Sequence, residues 1–175
     1  MWPFSPRKIH TMTRTIIRLQ TNQGPMDFEL YDELVPKTVE NFKKLISEGF
    51  YDGVRFNKIS RGRTLETGDP LSKDILLKLK WGTGGPGYTL DREECAELTH
   101  DKSGLLSMAV DGEKIAGSRF IITSAPLPAL DGKNVVFGHI TSGEEVIEGL
   151  RDVGTDYAGR VSFIGYIVIE KATIM

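Results

Sequence analysis

Apolar and polar residues alternate with period two along Met26-Asp-Phe-Glu-Leu-Tyr31, after the β-branched run Thr15-Ile-Ile-Arg-Leu-Gln-Thr21 and the turn-forming Asn22-Gln-Gly-Pro25. Period two sends successive side chains to opposite faces of a strand, so the two runs predict a hairpin with one buried face. The period then changes. Pro36 suits the first turn of a helix, where its missing N–H costs nothing. Val39, Phe42, Leu45 and Ile46 fall on one helical face, Lys43, Lys44 and Glu48 fall elsewhere, and Gly49 supplies the C-terminal stop. Beyond Gly53 short strands return, predicted at Val54 to Ile59, Gly104 to Ala109, Arg119 to Thr123, Val135 to Ile140 and Val161 to Glu170. A second short helix is predicted from Glu144 to about Arg151. Many short strands with two helices point to a mainly β, closed or nearly closed antiparallel barrel whose open ends the helices plug.

Length and composition narrow this without redirecting it. The 175 residues, 39% hydrophobic and 26% charged, suit one domain with one core. No repeat or linker divides the chain. Residues 1–12 are expected to be an N-terminal extension, Met12 being a second candidate start, and 13–175 the domain. The net charge of −2 gives no global reason for a nucleic-acid partner. Before Asp27 there is no acidic residue, while Arg7, Lys8, Arg14 and Arg18 all occur there. This basic start reads as a solvated tail, or as an arm that docks on an acidic or lipid surface. Cys95 is the single cysteine, so an intrachain disulfide is excluded, and Glu93, Glu94 and Glu97 beside it would raise its pKa. No run approaches the roughly 18 apolar residues of a membrane span, and the start lacks an apolar signal core. The expected location is cytoplasmic, with an organelle interior as the alternative.

The local motifs exclude more than they assign. Gly82-Thr-Gly84-Gly85-Pro86-Gly87 matches the dinucleotide pattern G-x-G-x-x-G, but Pro86 and Gly87 lead into Tyr88-Thr-Leu and not into a helix. His10, His100 and His139 share no metal-ligand spacing with each other or with Cys95, so no metal is expected. Ser107 and Ser118 lack a G-x-S-x-G setting and a discernible base. Glu93, Glu94 and Glu97 read as a solvated face.

Longer stretches in fixed order say more. Pro36-Lys-Thr-Val-Glu-Asn-Phe42, Phe50-Tyr-Asp-Gly-Val-Arg-Phe56, Gly68-Asp-Pro70 and Trp81-Gly-Thr-Gly-Gly-Pro-Gly-Tyr88 come first. Gly104-Leu-Leu-Ser-Met-Ala109, Gly117-Ser118, Phe120-Ile-Ile-Thr123, Ala125-Pro126, Leu130-Asp-Gly-Lys133 and Val136-Phe-Gly138 follow. Together they resemble the cyclophilin-type peptidyl-prolyl cis-trans isomerases over roughly Thr13 to Met175. The resemblance implies a closed eight-stranded antiparallel β-barrel capped by two α-helices. It also implies rotation about the bond preceding proline in a peptide or protein substrate, without a cofactor. That rotation has a barrier of about 18–20 kcal/mol because the amide is conjugated. In this family an arginine is understood to donate to the proline nitrogen, beside an apolar pocket for the ring.

Transferred residue by residue, the resemblance implies an altered site. Lys58 stands at the arginine position, and Asn57 at that of the neighbouring histidine. Arg63 and Thr64 replace two pocket walls, Glu66 replaces a glutamine, Val110 an asparagine and Arg119 a glutamine. Ile121 replaces a pocket phenylalanine and Asn134 a histidine, while Ala109 and Leu130 are as in the family. Ala129 replaces a tryptophan important for cyclosporin binding, so weak cyclosporin binding is expected. Lysine is a point charge on a flexible stem, not a fixed planar fork. Loss of one preorganised donor in other enzymes costs about 2.7–4 kcal/mol of transition-state stabilisation. The expectation is an isomerase of strongly reduced or lost activity. The alternative is a non-catalytic, protein-binding or structural subunit that joins a larger assembly through the scaffold and the N-terminal arm.

Overall fold

A computed structural model describes residues 14–151, 153 and 167–175. The N-terminal extension, with His10, and residues 161–166 of the last predicted strand lie outside the described residues. The hairpin forms as its alternation requires, β1 (Thr15–Thr21) against β2 (Gly24–Leu30), with Ile17, Leu19, Met26, Phe28 and Leu30 all turned inward. Helix α1 runs Pro36–Ser47 and buries Val39, Phe42, Leu45 and Ile46, the face its period predicts. Phe42 is the centre of an aromatic cluster, with ring centroids 5.1 Å from Tyr51, 5.3 Å from Phe120 and 4.8 Å from Phe137.

The remaining strands are β3 (Lys58–Ser60), β4 (Thr64–Thr67), β5 (Thr89–Leu90), β6 (Leu105–Asp111), β7 (Lys114–Thr123), β8 (Val135–Ser142) and β9 (Ile169–Ile174). Helix α2 (Glu144–Leu150) buries Val146, Ile147 and Leu150. The antiparallel path is β3-β4-β7-β6-β8-β2-β1-β9, with β5 paired to β7 beside it.

The expected closed barrel is not what forms: the eight-strand sheet curls into an open half-barrel. Among the described residues its outer strands, β3 and β9, do not pair with each other. Among the described residues the gap is crossed by one bridge, Arg55 opposite Val168, with Phe56 N–H donating to Ile167 O at 3.1 Å and Ile169 N–H to Val54 O at 2.8 Å. Two contacts stop that bridge from becoming a ladder. Asp52 Oδ1 accepts the Ala172 N–H at 3.0 Å, where a neighbouring strand would place a carbonyl. On the same flank the Val54 N–H, which a continued ladder would give to Ile169 O, goes instead to Tyr51 O at 3.1 Å.

Candidate active site

β6 and β7 separate where the site forms. Their register runs Met108 opposite Phe120, then jumps to Val110 opposite Ile115, so a single residue of β6, Ala109, faces the stretch Ala116 to Arg119. Such irregularities re-aim side chains next to binding sites. The space so made is a cleft of about 520 Å³ lined by Ser60, Arg63, Thr64, Glu66, Ala109, Val110, Arg119, Ile121, Leu127, Leu130 and Asn134.

Nine of the ten residues expected at the site therefore converge. Lys58 does not line the cavity. It is exposed on β3, directly opposite Glu66. Directly opposed residues of an antiparallel pair project from the same face, so Lys58 stands on the cleft side at its rim. Ser60 and Leu127 were not anticipated. Ser60 shares the face of Lys58 by strand alternation, a signal present in the sequence; Leu127 lies in a loop with no periodic signal.

The cleft has an apolar wall and a charged floor. Ala109, Ile121 and Leu127 are buried, and Leu130 lies beside them. Arg119 is also buried, with 9% exposure. Its Nη1 lies 3.7 Å from Glu66 Oε1 and its Nη2 3.9 Å from Asp111 Oδ2, while Nε has no partner. Arg63 is exposed, leaving the cleft open beside it. Asn134 is committed elsewhere, its Nδ2 donating to Met108 O at 3.0 Å.

Three sequence readings change once contacts are seen. Ser107 does have a base: its Oγ is 2.8 Å from His100 Nε2, and His100 Nδ1 is 2.7 Å from Asp131 Oδ1. An ionised carboxylate can only accept, so Nδ1 carries a proton, and in the neutral imidazole Nε2 then accepts from the serine. The order is that of a hydrolytic triad, yet Ser107 is wholly buried and His100 1% exposed, so no substrate reaches either. The array anchors the turn that carries Leu130. The two His100 N–H groups, backbone first and ring second, hold the Asp131 carboxyl below its ordinary value.

Glu93 is not a solvated face. Its carboxylate accepts the N–H groups of Lys37 and Thr38 and the Thr38 hydroxyl, capping α1, whose N-cap residue Val35 offers no side-chain acceptor. The glycine-rich loop, read from sequence only as a failed dinucleotide motif, is an anion cradle whose anion belongs to this chain. Asp69 accepts the N–H groups of Gly82, Thr83 and Gly84 on Oδ2 and that of Leu71 on Oδ1. Strand β5, not a helix, follows the loop. Among the described residues no acid, histidine and cysteine cluster could hold a metal.

Comparison with known proteins agrees with this architecture. The sequence model of the cyclophilin type peptidyl-prolyl cis-trans isomerase family matches residues 16–174. The chain is 39% identical over 144 residues to the Schizosaccharomyces pombe peptidyl-prolyl cis-trans isomerase ppi1, covering 82% of this chain and 90% of that protein. It is 42% identical over 125 residues to peptidyl-prolyl cis-trans isomerase B of Bacillus subtilis, covering 71% and 82%. A crystal structure of a Cryptosporidium parvum cyclophilin type peptidyl-prolyl cis-trans isomerase superposes with a TM-score of 0.83 at 32% identity, covering 93% of this chain and 98% of that one. A second structure of that protein, obtained in the presence of the dipeptide Ala-Pro, superposes with a TM-score of 0.81. With an open cyclophilin-like sheet, a cleft at the predicted positions and a family match along nearly the whole chain, this protein belongs to the cyclophilin-type peptidyl-prolyl cis-trans isomerase family.

Proposed function

We propose that the cleft binds Xaa-Pro segments and accelerates their isomerisation, but slowly. The observation that carries this reading is an open cleft of about 520 Å³, lined in part by the exposed Arg63, which does not fill it. Ala109, Ile121, Leu127 and Leu130 offer a proline ring apolar cover. Lys58, on the same face as Glu66, stands where an ammonium could donate to the twisted proline nitrogen. Its flexible stem orients that donor poorly, which is the physical reason for a low rate. The Ala-Pro dipeptide used with the Cryptosporidium parvum relative supports proline peptides as the ligand class.

A protease-coupled assay on a panel of Xaa-Pro peptides tests the proposal. The wild type should exceed the spontaneous rate modestly, and Lys58→Arg should raise kcat/KM by about tenfold or more, part of the 10²–10³ range associated with one preorganised donor. Absence of acceleration by both proteins, together with absence of binding of every peptide in calorimetry, would refute it. Peptide binding without acceleration would favour a second reading, a non-catalytic binding module in which the N-terminal arm adds contacts to a larger assembly. The charged floor, Arg119 between Glu66 and Asp111, is the observation that favours that second reading. Cyclosporin is expected to bind weakly under both readings, because Ile121 and Ala129 offer it no aromatic surface; a tight complex by calorimetry would show otherwise.

A further inference from the structure

Between the Asp69 cradle and the glycine-rich loop the chain presents a short 3₁₀-helix, Ile75–Lys80. It buries no residue; Leu76 is 87% exposed, Leu79 91% and Ile75 43%. Three residues per turn bring positions i and i+3 into line. Leu76 and Leu79 therefore form one continuous apolar edge, flanked by the row Ile75-Lys78-Trp81 and by the row Leu77-Lys80.

This edge is held outward by fixed contacts. Asp74 caps the turn by accepting the Leu76 N–H at 2.8 Å, and the Trp81 indole N–H donates to Asp74 O at 3.1 Å. The Thr83 hydroxyl closes the far end on Lys80 O at 2.6 Å. At the root, the Arg55 guanidinium donates to Ser72 O at 3.0 Å and Lys73 O at 2.9 Å. Lys73, Lys78 and Lys80 form no ion pair among the described residues. Asp74, the single acid from Leu71 to Trp81, is occupied by its cap.

We propose that this loop is a membrane-docking wedge that inserts Leu76 and Leu79 into the interfacial region of an anionic lipid bilayer. Apolar side chains enter the acyl boundary while the lysine ammoniums remain at the headgroups, and Trp81 suits the interface between them. The lysine fringe selects an anionic surface. The convex shape favours lipid over protein. A specific protein interface needs roughly 800 Å² from each partner with matched relief, more than a six-residue protrusion offers, whereas a bilayer moulds itself to a wedge.

Sedimentation of the full chain with phosphatidylcholine vesicles, with and without phosphatidylserine, tests the proposal. The wild type should sediment with the phosphatidylserine-containing vesicles only, and less as salt rises. Leu76→Ser/Leu79→Ser should weaken that partitioning about tenfold or more, the order expected from losing two buried leucines, and Lys78→Glu/Lys80→Glu should weaken it comparably. Both pairs lie outside the core, so the thermal midpoint serves as the folding control. In a Trp2→Phe background, Trp81 emission should shift to the blue on vesicle addition. Equal sedimentation of the leucine variant and the wild type would overturn the proposal, assigning any binding to the basic N-terminus. Failure of the wild type to bind anionic vesicles, with retention on immobilised polyglutamate, would overturn it in favour of an acidic protein partner.

Discussion

Asp69 is wholly buried and receives four backbone N–H groups from two separate segments. Gly84 must be glycine here, because a Cβ would sit 2.2 Å from Asp69 Oδ1. Gly68 is constrained twice: its φ is +94°, and a Cβ would lie 2.3 Å from Ser118 O. Each buried donor left unpaired costs about 1–3 kcal/mol, part of which water recovers. Asp69→Ala is therefore expected to lower unfolding free energy by about 3 kcal/mol or more in urea titration, and Asp69→Asn by less. A loss within about 0.5 kcal/mol, typical of surface positions, would contradict the cradle's role. The residues Gly68-Asp-Pro70 and Gly82 to Gly87 are plain in the sequence, but that one segment neutralises the other is not. The same holds for Arg63: its identity was legible, while its exposure at the lining of the cleft was not.

At the scale of elements, the period of apolar residues located both helices and most strands, with ends shifted by a few residues. Caps and anchors were not legible, because their partners are far apart in the chain. The acceptor that caps α1 comes from Glu93, 55 residues beyond Thr38. Glu93→Ala is expected to cost about 1 kcal/mol, the usual worth of an N-cap, measured by thermal or urea unfolding. The Ser107–His100–Asp131 array ties β6 to the turn bearing Leu130 across separations of 7 and 31 residues. Asp131 is held below its ordinary carboxyl pKa by the His100 N–H groups. A depressed folded-state pKa means that the unfolded chain binds protons more readily at acid pH. The stabilisation is thus complete above the unfolded value, about 3.9, and is lost as pH falls through the lower folded value. Asp131→Asn should accordingly be less stable than wild type near neutrality, with the gap narrowing below about pH 3.9. A gap independent of pH would show that the carboxylate charge is not what is held.

Across the whole molecule, a second titration acts in a different window. Burial, foremost, pushes the His139 pKa down, aided by Lys102 and Arg14 and opposed by Glu29. Its ring stacks on Tyr31 with centroids 5.4 Å apart. The unfolded chain then takes up the proton first, so stability should decline as pH falls below about 6.5 toward the lower folded value. His139→Gln should flatten that part of the stability–pH curve. If the slope persists in the variant, another group is responsible.

By itself the sequence determined the family, the two helices, the hairpin and the positions that become the cleft. Those features rest on local periodicity and on motifs short enough to be read in order along the chain. Only the tertiary structure decided that the sheet stays an open half-barrel, that Arg63 leaves the cleft accessible, that Lys58 stands at its rim and that Arg119 lies buried between two acids. Each of these depends on groups that meet only once the chain is folded, as the Asp52 carboxylate meets the Ala172 N–H from 120 residues away. A local pattern carries no record of such pairings until the chain has closed on itself.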